Sequence, residues 1–175
     1  MSNLVGQAIA TAGKMVPMYG ERLLAGVDAK VFARFATVGG KVVPSNHPAW
    51  AYGHLALYPA RVMEHLGREA GAARVPAGWE ALFKNGVECR DDPEGRIYPP
   101  MAEVVKFFQA SYGAAIGALA EADDAALAGP NPTEGRMREL FPTLGSMLLF
   151  YMSGHPQIHL GQVSAWRRMM GLPPA

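Results

Sequence analysis

The sequence predicts an all-α protein, a four-helix bundle with a long loop between its second and third helices. Three observations point there. Four stretches carry apolar residues at helical spacing, Gly/Pro-rich segments separate them, and no alternation of β type lasts more than a few residues. With 175 residues, the chain is long enough for one domain, 1–175, that buries most of the surface it would expose unfolded.

The first helix is expected over residues 2–26, capped by Ser2 or Asn3, with Leu4, Ile9, Val16, Leu23 and Leu24 inward. Pro17 falls inside it and should kink it, because a proline removes one ladder hydrogen bond. Phe32, Phe35 and Val38 form an apolar connector that closes at Gly39 and Gly40. Ser45-Asn46-His47-Pro48 announces the second helix, with Ser45 or Asn46 as cap and Pro48 where the first turn needs no amide. It runs from Ala49 to Leu66, bends at Pro59 and stops at Gly67.

Residues 67–100 carry the strongest loop signals, with a short helical turn at Trp79–Phe83, and their length suits a functional lid. The third helix is expected from Met101 to Ala122, with Val104, Val105, Phe108, Tyr112, Ile116 and Leu119 on one stripe. A helical turn at Arg136–Phe141 follows. Thr143 then caps the fourth helix, whose last turn holds Arg167 and Arg168 and which ends at Gly171.

A formal charge of +1 with interspersed signs leaves no footprint for nucleic acid and no polybasic membrane tail. The apolar runs are too short to span a bilayer. One cysteine, Cys89, excludes an intramolecular disulfide and fits a reducing compartment. With no signal peptide visible, a cytoplasmic protein is expected.

The chemistry concentrates in histidines. His155 and His159 are four apart on the fourth helix, so they share a face one turn apart, about 5–6 Å between Cβ atoms. That spacing suits one metal ion, and it also suits histidines of a core or a surface. A third ligand must come from elsewhere. His47, His54 and His65 share a stripe of the second helix, and only one has the right height. His54 lies mid-helix, at the depth of a core ligand. His47 suits the surface or a cap, and His65 the negative end of the helix. A protease of the H-E-x-x-H kind is excluded, since Pro156 stands where its base would be. Pro156 should also bend the helix at this point, leaving the Met152 carbonyl without its donor.

The other polar residues near these segments have ordinary readings beside the functional ones. Gln162 either orients a ligand or makes a packing contact. Trp166, Arg167 and Arg168 read as a solvated helix end rather than a pocket for an anion. Tyr52, Tyr58 and Tyr151 read as core or pocket wall before proton donors. Cys89 has no activating partner in view, and Asp91–Glu94 reads as a solvated turn.

Two segments, NHPAWAYGHL at 46–55 and HPQIHLGQVSAWRRMMG at 155–171, resemble the DinB/YfiT-like superfamily of small four-helix bundles. The resemblance implies a metal triad of His54, His155 and His159, a divalent ion (Zn, Ni or Fe) and a homodimer. Some members of that superfamily are transferases or isomerases that use a low-molecular-weight thiol. The expected function is therefore a metal-dependent enzyme, a thiol-dependent S-transferase or isomerase acting on a small electrophilic substrate. The alternatives are a metal-dependent hydrolase and a non-catalytic, stress-linked protein that binds metal or ligand.

Overall fold

A computed structural model describes residues 2–175, and the chain is mostly helical. Helix α1 spans Leu4–Leu23, α2 Pro48–Ala56, α3 Tyr58–His65, α4 Trp79–Phe83 and α5 Met101–Ala120. Three short helices follow: α6 at Asp124–Ala128, α7 at Arg136–Leu140 and α8 at Leu144–Leu149. A π-helical turn, Phe150–Gly154, joins α8 to α9, His155–Met169.

The core lies where these rods meet. Helix α1 packs on α5, α8 and α9, and both α2 and α3 pack on α5, while α2 also touches α9. Val16, Leu23, Leu55, Val62, Phe108, Tyr112, Leu119, Leu148 and Val163 are fully buried there. The α1–α5 approach is close at Gly6, where an added Cβ would fall within 3 Å of the Leu119 carbonyl oxygen. No larger residue fits without parting the two helices.

Several expectations about helix ends change. Neither Ser2 nor Asn3 caps α1 through its side chain. The Asp124 carboxylate, over a hundred residues away, accepts the Leu4 and Val5 amides at 3.1 and 2.8 Å. The helix then runs unbroken through Pro17. Helix α2 is capped not by Ser45 or Asn46 but by His47, whose Nδ1 accepts the Trp50 amide at 3.3 Å. His47 is fully buried rather than at the surface, and its Nε2–H donates to the Arg90 carbonyl at 2.9 Å. Thr143 caps α8 as expected, in a reciprocal box with Ser146.

The connector after α1 holds a small antiparallel hairpin, β1 (Ala36–Val38) paired with β2 (Lys41–Val43), turning at Gly39 and Gly40 with φ of 57° and 78°. Three-residue strands are too short to leave a legible alternation. The segment 67–100 contains the expected helical turn as α4, with Trp79 and Phe83 buried. It also packs more firmly than a solvated turn would. Asp92 is buried and its carboxylate accepts the amides of Arg96, Ile97 and Tyr98, while Asp91 binds the Phe35 amide and pairs with Arg34. Among the described residues, no helix is long and apolar enough to cross a membrane.

Candidate metal centre

The sequence around residue 150 sets up the centre. Pro156 has no amide to donate, and in the structure the preceding turn widens into the π-helical turn Phe150–Gly154 before α9 resumes. His155 opens α9, and His159 follows one turn later on the same face. Facing them, the break between α2 and α3 at Leu57 lies one turn beyond His54.

The three side chains meet. His155 Nε2 lies 3.2 Å from His54 Nε2 and 3.0 Å from His159 Nε2. These contacts have no satisfactory arrangement of protons. His54 Nδ1 lies 2.6 Å from the Phe83 carbonyl, to which only an N–H can donate, so its Nε2 is a bare lone pair. His159 Nδ1 donates to Gln162 Oε1 at 3.0 Å, and its Nε2 is likewise a lone pair. His155 Nε2 carries at most one proton to share between two acceptors. A cation satisfies all three nitrogens at once, since imidazoles bound at about 2.0–2.1 Å in neighbouring positions place their nitrogens roughly 3 Å apart. Three histidines within reach of one ion thus form a cluster that fits a divalent metal.

Electrostatics agree with the geometry. Burial pushes the His54 imidazolium pKa down to about 4, against the opposing hydrogen bond to Phe83. Burial, with the two neighbouring histidines, pushes His155 down to about 3. Burial also lowers His159. All three are therefore neutral at pH 7, the form a metal requires.

The surroundings orient the ligands. Gln162 Oε1 accepts from His159 and also from Asn46 Nδ2 at 3.0 Å, which ties α9 to the residue before the α2 cap. Of the two readings of Gln162, orienting a ligand or packing, its contact with His159 Nδ1 is the one that orienting needs. The Trp50 indole stacks on the His54 ring, centroids 4.7 Å apart and planes 9° from parallel. Tyr58 lies 4.3 Å, centroid to centroid, from His155, with Tyr151 against Tyr58 and the Phe150 ring 5.7 Å from His155. His155 alone has no outer partner: its Nδ1 is buried and unpaired.

Other candidates lie elsewhere. His47 and His65 stand outside the cluster. Tyr52 donates to the Gly20 carbonyl in the core. Trp166 and Arg167 are buried, not a solvated helix end: Trp166 Nε1 donates to the Arg34 carbonyl. Arg167 spans the carbonyls of Leu23, Ala25 and Pro173 at 2.7–2.8 Å. Only Arg168 is exposed. Burial raises the Cys89 thiol to about 11, so it is inert at neutral pH. The sequence left Phe83, Asn46 and Trp50 out of the site. Phe83 acts through its backbone oxygen, which no side-chain pattern reveals.

The family model of the DinB superfamily matches residues 22–163, a stretch that contains all three histidines. No curated protein matches the chain.

Proposed function

The chain belongs to the DinB superfamily, and on that premise we propose that it is a metal-dependent enzyme with one divalent ion (Zn, Ni or Fe) on His54, His155 and His159. The reading includes the four-helix bundle of that superfamily, formed by α1, α2–α3, α5 and α8–α9 as one domain over residues 1–175. It further includes a homodimer in the cytoplasm.

The convergence of three Nε2 atoms, two of them stripped of protons by Phe83 and Gln162, is the observation that supports it. The reaction proposed is attack by the sulfur of a low-molecular-weight thiol on a small electrophilic molecule, transferring or isomerising it. When bound, the metal lowers the pKa of a thiol or water and so supplies a nucleophile near neutral pH.

The protein's own part is to hold and shield. Phe83 and Gln162 fix two imidazoles in the tautomer that faces inward. Trp50, Tyr58 and Phe150 wall the cluster with rings and limit water around it. Burial keeps the Tyr58 phenol protonated, so its hydroxyl is a donor at working pH. No carboxylate belongs to the cluster, which fits activation by the metal rather than by a protein base.

The test is metal content of untagged protein beside His159→Ala, followed by a screen of thiols against electrophiles. Near-stoichiometric metal in the wild type, lost in the variant, with turnover that needs both metal and thiol, supports the reading. Hydrolysis without thiol replaces the transferase by a hydrolase. Protein that takes up neither zinc nor nickel overturns the metal centre itself.

A further inference from the structure

The triad is made of neutral ligands, so a divalent ion there keeps its full charge, and no acid in the cluster offsets it. Charge near this site is supplied by Arg61, on α3. Its guanidinium carbon sits 4.8 Å from the centre of the Tyr58 ring, and Tyr58 in turn lies against His155 and His54. One tyrosine thus separates the guanidinium from the triad.

Arg61 has no carboxylate of its own. Among the described residues the ion pairs are Arg34–Asp91, Arg68–Glu121 and Arg96–Glu94. Arg61 is half-buried, and only the Tyr58 ring stands between its guanidinium and the histidines. An arginine that crowds a cationic site and pairs with no acid works against the metal unless something negative arrives with it. A guanidinium without a carboxylate beside a centre of neutral ligands describes an anionic ligand.

We infer that the small molecule bound at this centre carries a carboxylate, which Arg61 receives while the reacting end of the molecule lies at the histidines. Arg61 is then a specificity residue. It selects anionic over uncharged molecules of the same length and leaves the metal in place. This rests on the metal reading above and adds the substrate class.

Cobalt-loaded protein is titrated with 3-mercaptopropionate and with 3-mercapto-1-propanol, and its visible absorption reports occupancy. The two probes share length and sulfur and differ in charge. Wild-type protein is expected to bind the carboxylate roughly tenfold or more tighter, the usual weight of a charge-assisted pair. Arg61→Gln is expected to remove that preference, and Arg61→Lys to keep part of it, with cobalt content unchanged in both. Equal affinities in the wild type, or a preference that survives Arg61→Gln, overturn the inference and leave the metal centre standing. A wild type that binds no cobalt overturns the metal centre and this inference with it.

Discussion

The Nδ1 of His54 and the carbonyl oxygen of Phe83 are 2.6 Å apart, so one short helix in the 67–100 segment sets the tautomer of a histidine on α2. The segment whose length suits a lid also braces the site through Phe83. Its position depends on Gly53, the residue before the histidine, where an added Cβ would sit 2.4–2.5 Å from the Phe83 ring.

Gly53→Ala is therefore expected to push α4 away. The cost should be about 1–3 kcal/mol of stability, typical of an overpacked core. Metal affinity should fall as well, because His54 loses its orienting acceptor. Denaturant unfolding together with chelator competition reads both effects. Unchanged affinity in a destabilised variant would separate the brace from the metal.

Gln162→Leu removes the acceptor shared by His159 and Asn46. Loss of such an outer partner typically weakens metal binding about 10–100-fold. The fold should persist, since Gln162 is only half-buried. Competition with a fluorescent zinc chelator gives the ratio, and a ratio near one would mean that Gln162 merely packs.

The depressed histidines make the metal-free protein sensitive to acid. His54 titrates near 4 and His155 near 3 in the fold, against roughly 6.5 in an unfolded chain. Between those values the unfolded chain binds more protons, so stability is whole above about pH 6.5 and is lost as the pH falls toward 4 and 3. By pH 5 each group is expected to have cost on the order of 2 kcal/mol. Urea unfolding with EDTA at pH 7.5 and 5 should show this drop. It should shrink in His155→Gln, and a flat profile would contradict it.

How much of this was legible in the sequence follows from the reach of each signal. The helical stripes, Pro48, the Thr143 cap and the Trp79–Phe83 turn depend on neighbours within a few residues, and the structure has them. The three histidines came from spacing on two helices joined to a resemblance, and they do meet. What escaped depends on partners far along the chain. Asp124 caps α1 from 119 positions along the chain, and Arg167 reads as a solvated cation until Leu23, Ala25 and Pro173 are seen around it. His47 reads as a surface residue or a cap; it is the cap, and its burial under Arg90 is what the sequence does not show. Arg61 carried no pattern at all, because its meaning lies in the carboxylate it lacks.

The widened turn at Phe150–Gly154 has a consequence for how this chain tolerates change. One residue added to or removed from a helix swings everything beyond it by about 100°. Upstream of the turn, Met147 and Leu148 fill the core; downstream, His155 and His159 must aim at His54. The turn is the phase shifter between these two demands. A deletion that smoothed it into regular helix would leave every histidine in the sequence and dismantle the triad by rotation alone.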